Sequence, residues 1–342
     1  MKRYISPAMH IEDEHGNDLY EVSGLDRLFT RDEIFIPDFG GWITLKCDLH
    51  THTVFSDGLV WPDQRVYEAW QEGLDAVAIT DHLSYRINSQ WLKGDLNDAY
   101  LIARKAADDL DFIVIQGAEI TEYKPIGHFN TLFIHDANRL KDSDPVKVIR
   151  EAVKQGAFIS WNHPGWPDNE VDMYPVHEKL LKENLIHGIE VMNYKLYCPS
   201  TLRWCIEYGK APLATADAHC TTHSMFSPKM RPMTLVFASD RSLEGIKDAL
   251  FAGRSAAFFD GKLAGEGKYL EPLVRECLKV GTMKNGCVQV TNLSDIPYDI
   301  FRDGHATILP GRSTVIIAPS QGGKWEFRNC FVDSDRCLEL SF

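Results

Sequence analysis

Apolar and polar positions fall along most of this chain in blocks. Between residues 45 and 260, short β-rich apolar runs are separated by amphipathic stretches of helical length, the pattern of a parallel α/β domain. The runs at 44–49, 76–80, 112–117, 130–134, 158–161, 188–192, 213–216 and 234–237 are expected to be strands. Stretches at 62–71, 97–110, 145–155 and 242–251 are expected to be helices, the first opening on Pro62, which suits a first helical turn. Such an order is barrel-like. Beyond about residue 279 the helical period fades, and the runs 288–291, 298–302, 314–317 and 337–340 alternate with turns, as in a small antiparallel β domain. We therefore divide the chain into an irregular arm packing on the barrel (1–44), the α/β domain (45–262) and a small β-sandwich-like domain (263–342).

Polar residues are placed unevenly on this pattern. His50, His52, Asp81, His82, Glu119, His163, Asp217 and His219 all lie at or just past the carboxyl end of an expected strand. In α/β barrels that rim is where sites assemble. Ionisable groups gathered there cost several kcal/mol each unless they are paired or coordinated, so their recurrence argues for metal.

The fragments carry recognisable ligand chemistry. In Asp48-Leu49-His50-Thr51-His52, an extended backbone puts both imidazoles on one face, because side chains alternate with period two. The strand continues into Thr53-Val54-Phe55-Ser56-Asp57-Gly58, which supplies a carboxylate on a tight turn. Thr80-Asp81-His82 and Gly117-Ala118-Glu119 add an imidazole and a carboxylate able to bridge two cations. Gly127-His128, Asn162-His163-Pro164 and Asp217-Ala218-His219 complete the set. Mixed imidazole and carboxylate ligation suits zinc, manganese or iron better than calcium, which prefers oxygen.

These fragments resemble the motifs of the PHP (polymerase and histidinol phosphatase) family, which read DxHxHTxxSDG, TDH, GxE, HP and DxH. Every motif position has a counterpart between about residues 46 and 258. The resemblance implies a distorted (β/α)7 barrel with two or three divalent metal ions. Carried over residue by residue, the first ion would be held by His50, His52, Glu119 and Asp217, the second by Glu119, His128 and His163, and the third by Asp57, His82 and His219. Glu119 is the expected bridge. PHP phosphodiesterases with an appended small β domain look similar from about residue 230 to the end, which points toward a diester. The expected reaction is hydrolysis of a small organic phosphodiester or phosphomonoester by a metal-bridging hydroxide.

Residues outside the ligand set are expected to assist. Arg231, or else Arg254, is a candidate cation for the charge that grows on phosphate, and His223 a candidate proton donor to the leaving oxygen. Asp81 is expected to orient a neighbouring imidazole, and Glu190 to face the site or form a buried salt bridge. Trp161 and Trp166 flank the Asn162-His163-Pro164 fragment, as pocket walls or as core. Cys47 and Cys220 border the metal motifs but show no arrangement that would activate a thiolate.

Composition narrows the partners. A formal charge of −13 opposes a broad footprint for duplex nucleic acid, which leaves a small phosphorylated substrate. The eight cysteines show no CxxC and no zinc-finger spacing, so reduced structural thiols are expected. No run approaches the roughly 20 apolar residues of a membrane span. A cytoplasmic protein is expected, or a periplasmic one if a leader has been removed. Two rival classes compete. An amidohydrolase-type C–N hydrolase also begins with HxH, but no strand-end Lys is present to serve as a carboxylated bridge. A non-enzymatic metal-binding module would have lost ligands, and none of the set is missing.

Overall fold

The computed structural model describes residues 30–319 and 323–342, so most of the expected arm, residues 1–29, lies outside the described residues. In chain order the elements are β1 (Ile43–Asp48), α1 (Pro62–Gln71), β2 (Ala76–Ile79), α2 (Asp98–Ala106), β3 (Ile113–Ile120), β4 (Phe129–Leu132), α3 (Pro145–Lys154), β5 (Phe158–Trp161), α4 (Pro175–Lys182), β6 (Gly188–Asn193), β7 (Leu196–Tyr197), α5 (Pro199–Tyr208) and β8 (Ala211–Thr215). They continue with β9 (Met233–Ala238), α6 (Leu243–Phe251), β10 (Ser255–Phe259), β11 (Lys262–Gly265), α7 (Gly267–Cys277), β12 (Leu278–Thr282), β13 (Val288–Asn292), β14 (Tyr298–Arg302), β15 (His305–Leu309), β16 (Thr314–Ile317), β17 (Trp325–Phe331) and β18 (Cys337–Leu340).

Local chemistry explains several boundaries. α1, α3, α4 and α5 each begin on a proline, whose fixed φ suits the first turn and whose missing N–H would be unpaired there anyway. The Asp144 and Ser242 side chains cap α3 and α6 by accepting from Val146 N and Gly245 N. α2 is shorter than the expected 97–110: Asn97 is drawn out to accept from Ala137 N and Gln116 Nε2, and Asp108, Asp109 and Asp111 oppose continuation at a helix's negative end.

A ring of seven strands, β1-β2-β3-β4-β5-β6-β8, forms the barrel. β1, β2 and β3 are mutually parallel, as are β5, β6 and β8, and every residue of β2, β5, β6 and β8 is buried, as expected of strands covered on both faces. β4 runs antiparallel to both β3 and β5, which distorts the barrel. At the mouth the ring closes through His52 N, which donates to Ala218 O at 3.0 Å. Lower down, β9 pairs antiparallel with β1, and Thr234 Oγ1 bonds both Ala214 N and Ala214 O of β8.

The sheet does not stop at the barrel. β9, β10 and β11 continue antiparallel, and β11 pairs parallel with β17, which lies beside β14 and β18. A separate antiparallel sheet, β12-β13-β16, completes the C-terminal β unit. The boundary expected after residue 262 falls within β11, and one hydrophobic core holds Phe258 and Leu263 together with Leu273, Tyr298 and Phe327. Among the described residues no helix is long and apolar enough to cross a membrane.

Candidate metal centre

The site is built at the mouth of the barrel. His50 and His52 leave β1 on the same face, with Nε2 atoms 3.1 Å apart, while Thr51 turns the other way and donates through Oγ1 to Ala78 O at 2.6 Å. The next six residues form a tight turn around Asp81. Its carboxylate accepts from Thr53 N (2.7 Å), Thr53 Oγ1 (2.7 Å) and Ser56 Oγ (2.5 Å). Gly58 ends the turn where a Cβ would lie 2.7 Å from His52 C and Thr53 N, so only glycine fits. This turn carries Asp57 back toward the imidazoles: its Oδ1 is 3.4 Å from His82 Nε2 and 3.3 Å from His219 Nε2.

Glu119 occupies the centre. β3 runs three residues further than expected, so Glu119 is a strand residue pointing inward and fully buried. Its carboxylate lies 3.3 Å from His50 Nε2, 3.6 Å from His52 Nε2, 2.7 Å from His82 Nδ1, 3.2 Å from His128 Nδ1 and 3.7 Å from His163 Nε2. Asn162 Nδ2 donates to it at 2.8 Å. His128 precedes a strand rather than following one, yet it joins the group because β4 is antiparallel and begins at the rim where its neighbours end.

The remaining corner is Asp217. Its Oδ1 lies 3.2 Å from His50 Nε2 and 3.1 Å from His52 Nε2. Asp217 (φ 48°) and His163 (φ 26°) both hold the left-handed backbone region that residues with a Cβ seldom occupy, and such strain gathers at functional sites. Behind the ring, Glu190 is fully buried. It accepts from Thr215 Oγ1 (2.6 Å), His163 N (2.7 Å) and Asn193 Nδ2 (2.9 Å), and it meets His50 Nδ1 at 2.8 Å. A carboxylate on the far nitrogen fixes an imidazole's tautomer and aims the other nitrogen inward.

Three overlapping groups of ligand atoms result: His52, Asp57, His82 and His219; His50, Glu119 and His163; and His50, His52 and Asp217. The donor set fits a cation in two respects. Ligand-to-ligand edges around an ion bound at 2.0–2.1 Å are about 2.9–3.4 Å, and many of the contacts above fall in that range. Asp57 Oδ1 and Glu119 Oε2 are buried without a well-formed hydrogen bond although imidazole nitrogens are near them, so lone pairs converge where no proton is suitably aimed.

Charge in the ring without metal is correspondingly tense. Burial draws the His82 imidazole down, but contacts with Asp57 and Glu119 outweigh it and lift the group to about 9. Burial would raise the Glu119 carboxyl, yet the surrounding His50, His128 and His163 hold it well below the ordinary carboxylate range. Asp57 and Asp217 are lowered in the same way, each against its burial, by His219 and His82 and by His50 and His52.

The assisting residues are placed differently from expectation. Arg231 is not beside the candidate ligands: it is fully buried behind the ring, bridging Asp48 and Glu72. A guanidinium held by two carboxylates has no charge to spare for a phosphate. His223 is exposed in the short turn Thr222–Ser224 and lines neither cavity at the mouth, and Arg254 stacks over Trp42 at 4.4 Å while donating to Phe237 O. Asp81 holds the turn rather than an imidazole. Cys47 is buried, where desolvation pushes its thiol up, against thiolate chemistry. Trp161 belongs to the core, whereas Trp166 stands over His128 with ring centroids 4.6 Å apart.

Sequence reasoning gave no role to Asn162, Thr121, Arg65 or Asp48. Asp48 heads the first motif, which was its only signal. Arg65, buried in α1, donates to His52 O (2.9 Å), Ala218 O (3.1 Å) and Cys220 O (3.0 Å), tying the first and last motifs together from outside. The mouth opens into a cavity of about 610 Å³ lined by ligand candidates and by Ser84, Tyr85, Thr121, Glu122, Tyr123 and Trp166. Among the described residues no Lys or Arg lines it.

A distorted α/β barrel with groups of His, Asp and Glu able to hold metal at its mouth defines a metal-binding class of barrel, and comparison with known proteins narrows it. The sequence pattern of the PHP domain matches residues 48–198. A two-domain protein of Bacteroides vulgatus, described as containing a predicted PHP-like metal-dependent phosphoesterase, is 36% identical, with a TM-score of 0.87 over 93% of this chain and 99% of that one. An uncharacterised protein of Methanocaldococcus jannaschii is 40% identical over 81 residues, which are 24% of this chain and 36% of that protein, so the match spans little more than a third of that relative. The chain belongs to the PHP family of metal-dependent phosphoesterases.

Proposed function

We propose that the chain hydrolyses a small organic phosphate ester, diester or monoester, with two or three divalent ions (zinc, manganese or iron) held by His50, His52, Asp57, His82, Glu119, His128, His163, Asp217 and His219. One observation carries the reading: the Glu119 carboxylate lies within 4 Å of five of the six candidate imidazoles, so a single side chain can join neighbouring ion positions. The charge balance supports it. Asp57, Glu119 and Asp217 bring three carboxylates to the ring, and no Lys or Arg among the described residues lines the cavity to receive a phosphate. Divalent ions bound there would supply that positive charge, provide an activated water near neutral pH and stabilise charge on phosphorus. They take the part first expected of Arg231.

The chain's own residues orient and enclose. Glu190 aims His50, Asp81 holds the turn that presents Asp57, and Asn162 holds Glu119. Among the described residues no Lys lines the cavity to provide the carboxylated bridge expected of an amidohydrolase-type C–N hydrolase. The test is metal analysis of purified protein together with a screen of bis(p-nitrophenyl) phosphate against p-nitrophenyl phosphate. Copurifying transition metal and hydrolysis of at least one ester are expected. Glu119→Ala should lower bound metal and reduce activity at least about a thousandfold, as for loss of a principal electrostatic element. Hydrolysis of neither ester by metal-loaded protein would overturn the reading.

A further inference from the structure

The candidate centre opens on two cavities, not one. Beside the first lies a second of about 710 Å³, and the two share His163, Trp166, Asp217 and His219. Ligand candidates and one tryptophan thus form a common wall. The linings beyond that wall differ in balance. The first cavity adds Ser84, Thr121, Glu122 and two tyrosine side chains and is the more polar of the two. The second is mostly apolar, its Val171, Val191, Tyr194, Leu196, Tyr197 and Met225 outweighing Asn169, Asn193 and Glu190. Leu196 is 61% exposed and Tyr194 is 40% exposed, an uncommon outlay of large apolar surface next to a charged site. Among the described residues neither cavity is lined by Lys or Arg, and Glu122 adds a negative charge to the first.

Resting on the phosphoesterase reading, we infer that the substrate is a phosphodiester with two dissimilar arms, a polar one in the first cavity and an apolar or aromatic one in the second, and with no further phosphate on either arm. A monoester would leave one cavity empty. A polyphosphorylated arm would meet Glu122 in the first cavity or Glu190 in the second, with no Lys or Arg among the described residues lining either. In the reaction a water oxygen bonds to phosphorus while the bond from phosphorus to one arm's oxygen breaks. That oxygen leaves with the electron pair and takes up one of the water's protons, the other remaining with the phosphomonoester product or passing to solvent. An apolar arm buried in the second cavity contributes to recognition through the surface it removes from water.

The experiment compares kcat/KM of the metal-loaded protein for three p-nitrophenyl esters: phenyl p-nitrophenyl phosphate, methyl p-nitrophenyl phosphate and p-nitrophenyl phosphate. The phenyl diester should exceed the methyl diester at least about tenfold, or about 1.4 kcal/mol. Leu196→Asp, at an exposed position that tolerates a charge in the fold, should bring that ratio near one, and Tyr194→Ala should lower it as an independent check. A ratio near one in the unsubstituted protein, or a ratio unmoved by both substitutions, overturns the inference while leaving the phosphoesterase reading intact. Hydrolysis of p-nitrophenyl phosphate alone overturns it likewise. No hydrolysis of any of the three fails the underlying reading and the inference with it.

Discussion

Two buried ionic clusters meet at the end of β1, headed by residues two positions apart in sequence. Asp48 points away from the mouth into a network with Arg231 and Glu72, beside Arg65 and Glu68, and each carboxylate there meets a guanidinium. His50 points into the mouth, where three carboxylates and six imidazoles crowd together with buried oxygens left unpartnered. In the first cluster every carboxylate has a guanidinium partner. In the second, Asp57 Oδ1 and Glu119 Oε2 are buried without a hydrogen-bond partner, and that difference distinguishes a ligand set from a scaffold. Burial by itself does not separate them: Asp48, Arg231, His50 and Glu119 are all within 1% of fully buried.

The largest effect expected from breaking this contrast is in the paired cluster. Arg231→Met removes the shared cation and leaves Asp48 and Glu72 buried without it, a loss of about 3–5 kcal/mol in unfolding free energy. Urea denaturation measures it. The metal content of the folded fraction should remain close to that of the unsubstituted protein. Intact stability with a collapse of activity would return Arg231 to the reacting group and erase the distinction.

A smaller effect sharpens the contrast from the other side. Glu190 belongs to the paired type by its four contacts but acts on the ring through His50 Nδ1. Glu190→Gln keeps the shape and most hydrogen bonds while removing the carboxylate that aims the imidazole. Metal affinity, measured by competition with a chelator, is expected to fall about 10–100-fold. An unchanged affinity would mean that His50 is oriented by the strand alone.

The difference also explains what could be read from sequence. Ligand candidates follow from local spacing: His50 and His52 share a strand face, Asp217 and His219 end a strand two residues apart, and Glu119 lies near the end of its run. Their convergence needs only that successive strands share one rim. Pairing partners have no such rule. Arg231 meets Asp48 across 183 residues, a pairing no local spacing announces, so the site role expected of this cation is denied only by its packing. Glu190 sits in a strand buried at every position, where sequence alone leaves site and salt bridge equally open. His128 precedes its strand, and only the reversed direction of β4 brings it to the rim. Each barrel strand, with β9 beside them, and the antiparallel character of the C-terminal unit were legible in the apolar runs, whereas closure into a ring of seven followed only from the family resemblance. The continuation of one sheet through β11 into β17 was not, because parallel pairing between distant short strands has no local turn to announce it.

Protons give the finest test of the contrast. In the ring, burial opposes the charged form of His82, but Asp57 and Glu119 outweigh it and raise the group from 6.5 to about 9. Without metal, then, the protonated form of His82 is favoured at pH 7, as the carboxylates also favour it for His50, His163 and His219. A raised folded-state pKa contributes stability that is fully present below about 6.5 and lost as pH rises through about 9. Chelated protein should therefore lose stability across that window, followed by urea titration at several pH values. Metal binding must displace the proton, so the apparent affinity should rise by up to tenfold per pH unit toward pH 9 and flatten above it. The Arg231 guanidinium of the paired cluster stays charged throughout and adds no such imidazole step to the window. A chelated protein with flat stability from pH 6.5 to 9 would mean the imidazoles carry no such proton, and the ring's carboxylates would then lack that compensating charge.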